Sequence, residues 1–184
     1  MDIHAAIEHY RETLKHKSKS SDKHLDGFSE LVKNSLSDSY QDCKEKHKAV
    51  IFGEMLTKRW DLVFDRLAAL EFKSIMSSSF GKSFNCRKEE AIGMAIDARL
   101  KNKKLKLGYL IILEDDDGNG LDKHQKLSEF CQRLKKNKIY DDCLAIVISD
   151  NSWSYIFNDY ESFTNALKPN RLLNLFRKGL SWIK

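Results

Sequence analysis

The stretch Trp60-Asp61-Leu62-Val63-Phe64-Asp65-Arg66-Leu67-Ala68-Ala69-Leu70-Glu71-Phe72-Lys73-Ser74 reads as a β-hairpin carrying two carboxylates and a lysine. Val63, Phe64, Leu67, Leu70 and Phe72 give it strand character. Glu71 and Lys73 alternate with Phe72, so on a strand both point to one face. For Asp61 to lie opposite Glu71 on that face, the turn must have an odd length, such as Asp65-Arg66-Leu67; a two-residue turn would send Asp61 to the far side. Two acids and an ammonium on a sheet surface suit metal-assisted phosphodiester hydrolysis. The acids hold the cation, and the lysine steadies the attacking water or the charge that builds on phosphorus. The same residue types also fit a solvated strand with a cross-strand ion pair, and the triplet alone leaves both readings open.

The chain continues Glu71-Phe-Lys-Ser-Ile-Met-Ser-Ser-Ser-Phe-Gly-Lys-Ser-Phe-Asn-Cys-Arg-Lys-Glu-Glu-Ala-Ile-Gly-Met-Ala-Ile-Asp97. This run closely resembles the pattern E-[FL]-K-S-Q-x-G-x-S-F-G-N-N-F-N-N-R-x-E-E-A-I-G-x-A-x-D of the XhoI/PaeR-type restriction endonucleases. Leu25-Asp26-Gly27-Phe28 with Glu30-Leu31 resembles that family's N-terminal helix. The match covers residues 60–97 and, more loosely, 25–31, about a quarter of the chain. Ile75 stands in place of Gln, Ser77 of Gly, Lys82-Ser83 of Asn-Asn and Cys86 of Asn. If any of these touch base edges, the recognised sequence differs from the family's.

The resemblance implies an α/β fold: a restriction-endonuclease-like, PD-(D/E)xK core, with a mixed β-sheet flanked by helices, as a single nuclease domain over residues 1–184. It implies Mg2+-dependent hydrolysis of double-stranded DNA leaving 5′-phosphates, at a palindromic site such as CTCGAG, by a two-fold homodimer. Asp61 and Glu71 would hold the metal, and Lys73 would complete the catalytic triplet. A helix acid joins the metal site in some related nucleases, and Glu30 is the candidate here. Helical geometry argues against it, because Glu30 points away from the apolar face of its helix.

Composition is compatible with a polyanionic partner without demanding one: 32 Lys and Arg against 27 Asp and Glu give a net charge of +5 among 184 residues. No apolar run is long enough to span a membrane and no signal peptide is visible, so no membrane partner is expected. Cys43, Cys86, Cys131 and Cys143 show no paired spacing, which suits free thiols in a reducing cytoplasm and disfavours structural zinc.

Periodicity places helices over Ile3–His16 and from Asp22, the second with Leu25, Phe28, Val32 and Leu36 inward and Leu31 at the edge. Residues 48–58 are ambiguous. Ser77–Ser83 reads as a loop, with Gly81 letting the backbone approach a ligand. Asn85 can cap a helix running to about Lys103, with Ile92, Ile96 and Leu100 on one face. Buried-type strands fall at Leu107–Leu113 and Leu144–Ser149, with a helix from about Asp122 to Lys136 between them. Residues 154–157 read as an edge strand. Pro169 breaks the last region and starts a helix with Leu172, Leu173, Phe176, Leu180 and Ile183 inward.

The Ser77–Arg87 segment offers Lys82, Ser83, Asn85 and Arg87 beside the catalytic strand. Arg or Lys can pair with guanine and Asn with adenine, so these four are candidates for contacting DNA; the alternative is a loop that merely orders the next helix. The basic runs Lys101–Lys106, Arg133–Lys138 and Lys15–Lys19 fit solvated helix ends or phosphate contacts. Asp115, Asp117, Asn119 and Gly120 mimic the opening of an EF-hand loop, but Lys126 stands where a bidentate Glu is needed. The six histidines show no metal spacing and are expected at the surface. Ser77-Ser78-Ser79 has no evident base partner. A structure-selective or repair nuclease on the same scaffold is one alternative function. A DNA-binding module with a lapsed active site is another, which the intact triplet disfavours.

Overall fold

A computed structural model describes residues 1–16, 22–45, 48–115 and 120–169. Helix α1 (Ile3–His16) comes first; a 3-10 turn at Asp22–Leu25 then leads into α2 (Asp26–Leu36). Strands β1 (Cys43–Glu45), β2 (Val50–Phe52), β3 (Thr57–Arg59), β4 (Leu62–Phe64) and β5 (Ala68–Met76) follow. Next are α3 (Phe80–Lys101), β6 (Lys106–Glu114), α4 (Leu121–Lys136), β7 (Asp142–Ile148), β8 (Trp153–Phe157) and α5 (Tyr160–Leu167).

Six strands form one mixed sheet in the order β1-β4-β5-β6-β7-β8, while β2 and β3 pair separately as a ribbon. The β5–β6 and β6–β7 pairs are parallel, and the other sheet pairs are antiparallel. β6 and β7 are buried almost throughout, which is why they read as unbroken apolar runs. α3 and α4 pack on one face over Ala69, Ile75, Tyr109 and Ile111. α1, α2 and α5 cover the other, over Leu70, Phe72, Leu110 and Ile112. This is the α/β architecture the sequence implies.

Several details depart from the sequence reading. α3 begins at Phe80, after a 3-10 turn at Ser77–Ser79, so most of the expected loop is helix and Asn85 is not a cap. Phe80 and Phe84 explain the early start: one turn apart, they stack at 4.7 Å and bury against the sheet and α4. The inward face also differs. Ala91, Met94, Ala95 and Ala98 are buried, whereas Ile96 and Leu100 are 47% and 58% exposed. Small alanines let the helix lie close to the sheet, and that approach turns Ile96 and Leu100 outward.

The sequence reading also missed β1 and α5. Asp159 caps α5 by accepting a hydrogen bond from Ser162 N at 2.8 Å. His24 is buried rather than at the surface, with Nε2 2.8 Å from Ser74 Oγ. The helix expected after Pro169 lies outside the described residues, as do Lys17 and Lys19 of the first basic run and Asp117 and Asn119 of the EF-hand-like turn.

Candidate active site

The hairpin register decides which side chains share a face. Leu62 pairs with Leu70, Val63 with Ala69 and Phe64 with Ala68, leaving Asp65-Arg66-Leu67 as the turn. Asp65 and Arg66 take φ of 48° and 57°, and Leu67 N donates to Phe64 O at 2.7 Å. The left-handed pair closes the odd-length connection. The Asp65 carboxylate also accepts hydrogen bonds from Gln41 N and Asp42 N. One step beyond Leu62–Leu70 in the same register, Asp61 falls opposite Glu71. Asp61 N donates to Leu70 O at 3.0 Å, and Asp61 Oδ2 accepts from Phe72 N at 2.6 Å.

Asp61, Glu71 and Lys73 therefore line one cleft of about 730 Å³, together with Trp60, Glu90 and Met94. Glu71 is 4% exposed. Burial pushes its carboxyl up to about 7; Lys73 pulls against that shift, and the Asp61 charge adds to it. Lys73 forms ion pairs with Glu71 and, at 3.5 Å, with Glu90 of α3. Burial works to lower the Lys73 ammonium, but Glu71 and Glu90 outweigh it and hold it above its ordinary value. Glu90 also accepts from Arg87 Nη1 at 2.9 Å. Burial acts to raise Glu90, and Lys73 and Arg87 more than offset that, leaving it below the usual carboxylate range.

One stripe of α3 serves this region. Glu90 reaches Lys73, Arg87 pairs with Glu90 behind it, and Met94 lines the cleft. Asp97 accepts hydrogen bonds from Met55 N at 2.7 Å and Leu56 N at 3.2 Å, and its own carbonyl accepts from Glu54 N. Lys101 lies 3.8 Å from Glu54. Asp97 thus anchors the β2–β3 loop by its main chain, and a Cβ on Gly53 would sit 1.8 Å from Asp97 Oδ2.

The other predicted residues are dispersed. Glu30 is exposed and lines a neighbouring depression with Lys33 and Glu45, outside the Asp61–Glu71 cleft. Asp26, one turn earlier, is the acid of α2 that lines the cleft. Lys82 is exposed and Ser83 bonds to Ser79. Asn85 lies in a groove between α3 and α4 with Lys88 and Arg133, separated from Arg87 by the turn of the helix. Of the departures from the family pattern, Ile75 and Ser77 are buried; Ser77 Oγ donates to Asp115 and accepts from Lys123. Asp115 also meets His124 Nε2 at 2.8 Å, so it is tied into the packing of α4. Lys106, from the second basic run, donates to the Ala166 and Lys168 carbonyls at the end of α5. Glu90, Asp26, Lys23, Lys58 and Arg59 all line the cleft and were not singled out from the sequence. They come from other elements at no fixed spacing from Lys73; only the family-like Glu89-Glu90 pair and Leu25-Asp26-Gly27-Phe28 segment pointed to any of them.

The chain is 36% identical to the type II restriction enzyme BstVI of Geobacillus stearothermophilus over 114 residues, 50% of this chain and 51% of that enzyme. It is 37% identical to the type II restriction enzyme XhoI of Xanthomonas vasicola over 111 residues, 50% of this chain and 45% of that enzyme. With the type II restriction enzyme AbrI of Azospirillum brasilense it shares 45% identity over 71 residues, 32% of each. The chain spans about half the length of the first two relatives. No solved structure matches it. The family model for restriction endonuclease XhoI matches residues 12–120, which take in α2, the hairpin, the ribbon and all of α3, and the chain belongs to that family.

Proposed function

We propose that the chain is a Mg2+-dependent type II endonuclease that hydrolyses phosphodiester bonds in duplex DNA at a specific site, within a single nuclease domain over residues 1–184. The observation that carries this reading is the gathering of Asp61, Glu71 and Lys73 in one cleft, with the Glu71 carboxyl raised by burial and by Asp61. A desolvated carboxylate beside a second one favours a cation. Among the described residues no group of three or more His, Cys, Asp or Glu side chains forms a metal cage. Two protein carboxylates suit Mg2+, which keeps several waters and takes other ligands from substrate phosphate.

Asp61 and Glu71 would hold the ion, which when bound supplies Lewis-acid polarisation of the scissile phosphate. Asp61 is fixed by the Phe72 amide and Glu71 by strand β5, so both approach the phosphate from one side. Lys73, held between Glu71 and Glu90, orients the attacking water and offsets the negative charge that builds on phosphorus. Lys82, Ser83 and Arg87 contact DNA from the start of α3, with Arg87 nearest the cleft through Glu90. By family likeness the site is CTCGAG, the products carry 5′-phosphates, and a homodimer cuts both strands.

Digestion of DNA of known sequence with Mg2+, followed by mapping of the ends, tests the activity and the site together. Asp61→Asn, Glu71→Gln and Lys73→Ala should each abolish cleavage and leave the circular dichroism spectrum unchanged. Near-normal cleavage by any one of them would sink the assignment.

A further inference from the structure

The β2–β3 ribbon stands apart from the main sheet at the mouth of the cleft. Its register pairs Val50 with Arg59, Ile51 with Lys58 and Phe52 with Thr57. Ile51 roots it in the core under α3. All of β3 is exposed, and Thr57, Lys58 and Arg59 line the cleft that holds Asp61 and Glu71. Lys23, from the turn before α2, lines the same cleft. The cleft therefore has acids in its floor and cations around its walls.

The ribbon tip is apolar as well as exposed. Phe52, Met55 and Leu56 are 60%, 84% and 56% exposed, and they are three of the seven large hydrophobic side chains exposed among the described residues. Their backbone is already engaged: Met55 N and Leu56 N donate to Asp97, and Gly53 N donates to Leu56 O. The tip thus presents apolar side chains on a loop clamped to the helix that also carries Glu90. Apolar side chains clustered on a fixed loop beside a charged cleft mark a surface that another molecule covers.

We infer that the β2–β3 ribbon is the arm that grips duplex DNA beside the cleft, an assignment that rests on the nuclease reading of that cleft. A two-stranded ribbon fits the major groove of B-DNA. Lys58 and Arg59 contact backbone phosphates at the cleft wall, so the strand to be cut passes over Asp61 and Glu71. Phe52, Met55 and Leu56 enter the groove and pack on base edges, where thymine methyls reward apolar contact. Because the Met55 and Leu56 amides are held by Asp97, the tip reads shape and methyl groups rather than hydrogen-bond donors and acceptors. Charge complementarity and continuity with the cleft single out duplex DNA over other occupants.

Fluorescence anisotropy of a labelled duplex, titrated with the full chain carrying Lys73→Ala so that the duplex stays intact, tests this over a range of salt concentrations. Adding Lys58→Ala and Arg59→Ala should make the dependence of log affinity on log salt shallower by about 1 for each phosphate contact removed. Adding Met55→Ser and Leu56→Ser should weaken binding by about tenfold or more, the scale of burying such side chains, with the salt dependence unchanged. If the wild-type chain cuts DNA but both ribbon variants bind like their parent, the ribbon assignment is overturned and the nuclease reading stands. If the wild-type chain neither binds nor cuts any duplex, both fall. If the tip variant instead dissociates a dimer in sedimentation while each protomer's DNA affinity is kept, the tip belongs to a second copy of the chain and the assignment is likewise overturned.

Discussion

Glu71 combines burial, a like charge in Asp61 and an ammonium in Lys73, and its titration exposes that balance. Its carboxyl sits at about 7 in the folded protein against an ordinary 4.5, so between those values the folded chain holds a proton that the unfolded chain has released. Stability from this group is therefore fully present below about 4.5 and is lost as pH rises towards 7, the opposite of a carboxylate whose partners hold it below its ordinary value. In chelator, the denaturation midpoint should rise between pH 7.5 and 5.5, and Glu71→Gln should flatten that part of the profile. A midpoint that behaves identically in both proteins would show that Glu71 ionises freely. Glu90 acts at one remove, through Lys73. Glu90→Gln should lower kcat by about 10- to 100-fold, the scale of a misplaced catalytic group, with KM little changed. Asp61, Glu71 and Lys73 were legible in the sequence because strand alternation and turn parity put them on one face. Glu90 was not, because a helix face brings it to Lys73 from a distant position.

At the scale of single elements, α3 shows where periodicity misleads. Ile92, Ile96 and Leu100 form a helical stripe of large residues that hydrophobicity alone selects, but only Ile92 packs against the core, and Ile96 and Leu100 are exposed. The helix instead turns its alanines to the sheet, which lets it come close enough for Glu90 and Asp97 to reach their partners. Phe84→Ala should cost about 3–5 kcal/mol in urea denaturation, while Ile96→Ala and Leu100→Ala should each stay within about 0.5 kcal/mol. Comparable losses at all three positions would mean that the helix is rotated from the orientation described. The ribbon offers a second check. Gly53→Ala drives a methyl into the Asp97 carboxylate and should destabilise the protein by more than about 1 kcal/mol, with faster proteolysis at residues 53–56. Wild-type protease resistance would show that the anchor yields. The ribbon itself was illegible in the sequence, since three-residue strands are too short to show an alternation.

Across the whole molecule, the α/β order was legible because β6 and β7 are apolar on both faces and α4 lies between them, a pattern that specifies parallel strands under helices. What escaped the sequence were pieces defined by capping or by tertiary support: β1, which hydrogen-bonds β4 at the sheet edge, and α5, started by Asp159. None of these omissions moved the hairpin, which is why the candidate site survived errors elsewhere in the chain. Its burial also bears on how the protein would respond to laboratory selection. Replacing Glu71 by Gln removes a desolvated charge, while Lys73 keeps Glu90 as its partner, so the substitution should gain stability at neutral pH. A library sorted by heat resistance alone would therefore enrich changes at the very carboxylate proposed to hold the metal. Any search for a hardier version of this chain needs a second gate that scores DNA cutting.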